Sequence, residues 1–196
     1  MTHRAKRLAA PIAAFLFGLF ALGIAAYVTL MPGGRQATAN IGGPFTLVAG
    51  DGRKVTEHDF KGAPFLVFFG FTHCPDVCPT KLQEMSDVFQ ALGPKGSKVR
   101  ALFITVDPER DTPEVMKNYV SSFDEHIVGL TGDRAEIDRV VKAYRVFARK
   151  VPLEGGDYTM EHTGLVYLMN RDGLFVGSLN LDRTPEEAAR EIAREL

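Results

Sequence analysis

The 196-residue chain carries two cysteines, Cys74 and Cys78, in the stretch Phe65-Leu-Val-Phe-Phe-Gly-Phe-Thr-His-Cys-Pro-Asp-Val-Cys-Pro-Thr80. As thiolates, two sulfurs four positions apart can bind a soft metal ion or exchange with a disulfide. Each cysteine precedes a proline, which disfavours the helical region for the residue before it. The expectation is that neither thiol lies inside a regular helix. Pro79 takes the first helical position, Cys78 the cap, and Cys74-Pro-Asp-Val an irregular turn. The field of a helix start then favours the thiolate form. A purely structural disulfide is the competing reading, but a bridge closing so short a loop removes little chain entropy. Stability alone is a poor reason for this spacing, so function is favoured.

Two thiolates and one imidazole form a soft, low-coordinate set that suits monovalent copper, whereas zinc normally takes a fourth ligand. The chain has five histidines. His3 precedes a long apolar segment, and His58 and His126 sit in polar, surface-like contexts. His73 adjoins Cys74, but neighbouring side chains of extended backbone point apart. His162 follows a glycine-rich loop that can fold over the cysteines. Spacing does not separate His73 from His162. Asp107-Pro-Glu-Arg-Asp111 reads chiefly as a polar turn leading into a helix cap, and alternatively as carboxylates that tune the site or contact a partner.

The elements that must position these residues alternate. Phe45–Val48 and Arg53–Val55 flank an Asp51-Gly52 turn as a leading hairpin. Phe65–Phe69 is a continuous apolar run of β-formers, expected as a buried central strand. A helix follows with Leu82, Met85, Phe89 and Leu92 on one face. Ala101–Val106 is a second buried strand, joined to the first by a right-handed crossover. Thr112-Pro113 starts the next helix, and Ile127–Leu130 is a short strand. Asp133 and Glu136 open a helix with Ile137, Val140, Val141 and Tyr144 at helical spacing. After Val146–Val151 comes the loop Pro152–Asp157. Gly164–Met169 and Leu174–Val176 flank an Asp172-Gly173 turn, and Thr184-Pro-Glu-Glu187 caps a last helix. This order implies an α/β thioredoxin-like fold, a mixed central sheet flanked by helices, with its chemistry where the first parallel strand meets its helix.

The N-terminus bears on the compartment. Arg4, Lys6 and Arg7 precede 24 uncharged residues, Leu8–Met31. About 20 apolar residues span a bilayer core as a helix. The expectation is a basic cytoplasmic N-terminus at 1–7, a transmembrane helix at 8–31, a tether at 32–43 and a globular domain at 44–196 outside the cytoplasm. Ala37-Thr38-Ala39 has the form of a signal-peptide cleavage site, but the apolar segment is longer than a signal core. The absence of an Arg/Ser-rich transit segment favours a single pass through a bacterial inner membrane, with the domain in the periplasm. The net charge of −1 and the lack of a basic stripe argue against a nucleic-acid partner.

Phe68-Phe-Gly-Phe-Thr-His-Cys74-Pro-Asp-Val-Cys78-Pro-Thr80 resembles the signature of the Sco/SenC family of membrane-anchored copper-binding proteins. Thr105–Thr112 and Tyr158-Thr-Met-Glu-His162-Thr resemble that family's second and third blocks. Two stretches depart from the pattern: Glu161 stands where the family usually has Asp, and Leu179–Thr184 is less typical. The resemblance implies a copper ion held by Cys74, Cys78 and His162, and it is the resemblance that selects His162 over His73. It also implies a metallochaperone that serves copper delivery to, or thiol preparation of, the binuclear copper site of cytochrome c oxidase, and it leaves thiol–disulfide oxidoreductase activity open. Its partners would be the oxidase's copper-bearing subunit and other copper chaperones or thiol reductants. The alternative function is a thiol–disulfide oxidoreductase or redox sensor using the Cys74–Cys78 pair. A peroxidase of the same fold is a weaker option, because no hydrogen-bonding support for a peroxidatic cysteine is found.

Overall fold

The computed structural model describes residues 17–23 and 41–196. The chain divides into two compact units, Met1–Ala39 and Asn40–Leu196. In the first, residues 17–23 are helical and exposed. The expected membrane span, Leu8–Met31, otherwise falls outside the described residues, as do most of the tether and His3. Among the described residues no helix is long and apolar enough to cross a membrane.

The second unit is built on a seven-stranded mixed sheet. Its strands are β1 (Thr46–Ala49), β2 (Lys54–Thr56), β3 (Phe65–Gly70), β4 (Arg100–Thr105), β5 (Ile127–Thr131), β8 (Val166–Met169) and β9 (Phe175–Leu179), ordered β2-β1-β5-β4-β3-β8-β9. β3, β4 and β5 run parallel, and β8 joins the other side of β3 antiparallel. The position of β3 explains its composition. A strand paired on both edges and covered on both faces has no polar side, and all six of its residues are buried.

Alternation along β3 sends its rings to opposite faces. Phe68 stacks on Phe103, which stacks on Tyr119. Phe69 packs instead on Tyr144 and Tyr167. Four helices supply the cover: α1 (Val77–Leu92), α2 (Pro113–Val120), α3 (Arg134–Ala143) and α4 (Pro185–Ala193). Their starts follow local chemistry. Thr112 Oγ1 and Asp133 Oδ1 accept from Val115 N and Glu136 N, and Thr184 with Glu187 forms a full capping box. The first described residues of this unit are already packed: Gly42 N donates to Ala143 O at 3.0 Å, and Ile41 lies against the core.

One local expectation needs correction, and one pairing was not anticipated. Helix α1 begins at Val77, so Cys78 lies in its first turn and is not its cap. Pro79 then stands third in the helix, where its missing N–H forfeits no intrahelical bond; the pre-proline restriction on Cys78 is outweighed. The segments flanking the glycine-rich loop pair with each other. β6 (Ala148–Pro152) and β7 (Tyr158–His162) form a separate antiparallel hairpin, with Ala148 opposite His162 and Pro152 opposite Tyr158.

Candidate metal centre

The cysteine loop leaves the C-terminal end of β3 and the imidazole arrives on the end of β7. One sulfur of Cys74, one of Cys78 and one ring nitrogen of His162 lie within 4.8 Å of one another. Cys78 Sγ stands 3.7 Å from His162 Nε2. Two donors about 2.0–2.3 Å from a common first-row ion, spread at 120°, stand roughly 3.7–4.0 Å apart. The residues present therefore fit a low-coordinate soft ion with little rearrangement.

The two sulfurs have different surroundings. Cys74 is half-buried, and its sulfur accepts from Cys78 N at 3.4 Å. A sulfur thus takes one of the free N–H groups of the helix start, in a place where the Asp76 side chain makes no capping bond. Cys78 is fully buried, and burial pushes its thiol well above the usual range, against a hydrogen bond from the Phe71 backbone. The expected thiolate-favouring field accordingly does not govern Cys78, where desolvation dominates. Room for its sulfur comes from Gly70: a Cβ there would lie 2.7 Å from Cys78 Sγ and 2.6 Å from the Phe103 ring.

His162 is oriented by its other nitrogen. Nδ1 lies 3.0 Å from Thr163 O, so Nδ1 carries the proton and the Nε2 lone pair faces Cys78. The ring stands edge-on to Phe71 at 5.8 Å and to Phe68 at 6.4 Å. Burial in this aromatic setting lowers its pKa, against the Thr163 bond that raises it. Glu161 points the other way along β7 and pairs with Arg149 across the exposed side of the hairpin, 2.5 Å from Oε2 to Nη2. The departure from Asp at this position therefore lies away from the imidazole.

The other histidines are elsewhere. His73 is exposed, and its Nδ1 meets the Thr72 hydroxyl at 3.2 Å. His126 pairs with Asp124 and stacks on Phe89, and His58 meets Glu57.

Sequence reasoning missed the role of the Asp107–Asp111 turn. The stretch does lead into the Thr112 cap of α2, but both carboxylates are fully buried, which its polar composition did not show. Asp111 accepts from Thr72 N at 3.1 Å, Thr72 Oγ1 at 2.6 Å and Thr105 Oγ1 at 2.6 Å. It thereby fixes the start of the cysteine loop. Asp107 accepts from Tyr158 Oη at 2.9 Å and from Arg110 Nε at 2.5 Å, reaching the hairpin that carries His162. Tyr119 of α2 also faces the site. Its phenol is pushed up by burial and then by the two thiols, and its hydroxyl has no hydrogen-bond partner among the described residues.

Fold and site together define a thioredoxin-like domain whose helix-start dithiol is completed by an imidazole from a separate hairpin. A model of the SCO1/SenC family matches residues 33–196, and this chain belongs to that family. The human mitochondrial SCO1 homolog is 42% identical over 156 residues, 78% of this chain and 52% of that protein. The chain spans about half the length of the human and mouse relatives it matches. Among solved structures, Bradyrhizobium japonicum ScoI with copper bound is 61% identical with a TM-score of 0.77, covering 80% of this chain and 99% of that one. BsSco, a member of the Sco family of cytochrome c oxidase assembly proteins in which a disulfide switch is identified, is 27% identical with a TM-score of 0.65, covering 82% and 95%.

Proposed function

We propose that this chain is a copper metallochaperone that assists assembly of the binuclear copper site of cytochrome c oxidase. Its cargo is held by Cys74, Cys78 and His162, and its partners are the oxidase's copper-bearing subunit and other copper chaperones or thiol reductants. Segment 8–31 anchors it in a bacterial inner membrane, with residues 1–7 in the cytoplasm and the 44–196 domain in the periplasm. The observation that carries the reading is the convergence of two sulfurs and one correctly oriented imidazole nitrogen at separations that suit one soft ion. The similar B. japonicum ScoI, with copper bound, supports it.

The chain's own residues set the conditions for loading. Without cargo, Cys78 keeps its proton and shares it towards His162 Nε2. Binding displaces that proton, so uptake requires a base or an incoming group that accepts it. Cys74, the more accessible sulfur, meets an incoming partner first. An anaerobic copper(I) titration tests the proposal. One ion per chain is expected, lost in Cys74→Ser and Cys78→Ser and weakened in His162→Ala without loss of fold. Affinity no better than that of an unstructured dithiol contradicts it.

The two free cysteines at this distance also favour a second reading, reduction of partner disulfides. Cys74 attacks a partner disulfide and releases one partner thiol; Cys78 then displaces the second by closing the Cys74–Cys78 bond. The partner gains two electrons and the chain loses two. Reductase turnover that is indifferent to His162→Ala, without tight copper binding, favours this reading.

A further inference from the structure

The β6–β7 hairpin is hydrogen-bonded to no strand of the seven-stranded sheet. A two-stranded hairpin is marginal by itself in water, so side-chain contacts must decide where it stands. Tyr158, Met160 and His162 alternate onto one face of β7. Met160 is buried, and Tyr158 carries the polar contacts. Its hydroxyl donates to Asp107 Oδ1 at 2.9 Å, and its carbonyl accepts from Arg110 Nη1 at 3.0 Å. The Arg110 guanidinium also lies over its ring, 3.8 Å from the centroid. Lys150 of β6 adds an ion pair with Glu109. At the other end of the same turn, Asp111 holds Thr72 of the cysteine loop.

We infer that the Asp107–Asp111 turn is the positioning element of the metal centre: its Asp107–Arg110 arm latches Tyr158 and so sets the distance of His162 from Cys78, while its Asp111 arm independently sets the cysteine loop. The inference rests on the proposed copper site. Tyr158 and His162 are four residues apart on β7, about 13 Å along an extended strand. A pivot of about 5° at Tyr158 moves the imidazole by about 1 Å over that lever, enough to spoil the 3.7 Å separation from Cys78. Both Asp107 and Asp111 are fully buried, so each is committed to its partners.

The test is Tyr158→Phe in the full chain, which removes the hydroxyl and keeps the ring. Copper(I) affinity is expected to fall about tenfold, the low end of the cost of losing a ligand's direct outer partner, because Tyr158 acts on His162 through the strand. The thiolate-to-copper(II) absorption should move towards that of His162→Ala. The dithiol–disulfide midpoint stays unchanged, because the Asp111 arm is intact. Arg110→Gln, which cuts the second contact on the same strand, is expected to give the same pattern. In the His162→Ala background, Tyr158→Phe should cost no further affinity. Without metal, β6–β7 amides exchange faster in Tyr158→Phe and the His162 ring resonances broaden. The inference is overturned by unchanged affinity and exchange, or by an equal loss in the His162→Ala background, which marks a general structural effect. If the wild-type chain fails to bind copper, the functional reading falls, and the metal-free exchange and resonance measurements still decide whether Tyr158 holds His162.

Discussion

Replacing Gly70 by alanine tests whether room for the Cys78 sulfur is built into the central strand. The added Cβ would meet Cys78 Sγ at 2.7 Å and Phe103 Cε2 at 2.6 Å, whereas ordinary contacts begin near 3.4 Å. Both contacts must therefore open by about 0.7–0.8 Å, the difference between those distances. Phe103 has little freedom, being fully buried between Phe68 and Tyr119, so the strand must edge away from the ring and the sulfur must move with it. Overpacking of this kind typically costs about 1–3 kcal/mol. For a domain of this size that lowers Tm by roughly 2–12 °C. The assay pairs a thermal melt of the metal-free protein with a competition titration against a copper(I) chelator. The expected result is a folded variant with a lower Tm and at least tenfold weaker copper binding. A destabilised variant with wild-type affinity would refute the reasoning, because the glycine would then serve packing alone.

Asp111→Ala strips the acceptor from the Thr72 N–H and from two hydroxyls; a buried donor left without its acceptor costs about 1–3 kcal/mol. Asp111→Asn, which keeps an acceptor, is expected to lose less in urea unfolding. His73→Ala is expected to leave copper affinity within about twofold, since its ring is exposed and bonded to Thr72; a tenfold loss contradicts the assignment of the third ligand. The metal-free protein should be least sensitive to pH between about 6.5 and 8.5. The raised Cys78 pKa gives stability that is full below the ordinary thiol pKa and lost as pH rises above it. The lowered His162 pKa gives stability that is present above the ordinary imidazole pKa and lost as pH falls below it. Cys78→Ser should flatten the alkaline limb of urea-measured stability and His162→Gln the acid limb; unchanged limbs contradict those shifts.

What was legible in the sequence was local. The apolar run at Phe65–Phe69 marks a strand with no exposed face, and the threonine and aspartate caps mark three helix starts. The cysteine spacing shows that two sulfurs share one helix start. The start of α1 was displaced by two residues because the pre-proline rule is a bias and Pro79 is tolerated throughout the first turn. The β6–β7 hairpin was obscured by its composition: Ala-Arg-Lys-Val-Pro carries two adjacent charges, the exposed Arg149 and Lys150, and ends in proline. What holds it lies far away in the chain, since Tyr158 meets Asp107 across 51 positions. The burial of Asp107 and Asp111 was hidden for the same reason. Asp-Pro-Glu-Arg-Asp has the composition of a surface turn, and only Thr72, Thr105 and Tyr158, brought from three strands or their ends, make it interior. Spacing likewise left His73 and His162 equivalent, whereas the path of β7 places the distant residue beside the sulfurs and leaves the adjacent one outside.

X-ray absorption of the copper(I)-loaded protein, wild type beside His162→Ala, tests the central claim most directly. Two sulfurs and one nitrogen at the metal are predicted for the wild type, with the nitrogen shell lost in the variant. Two sulfurs alone in the wild type, or a nitrogen shell that survives His162→Ala, would contradict it.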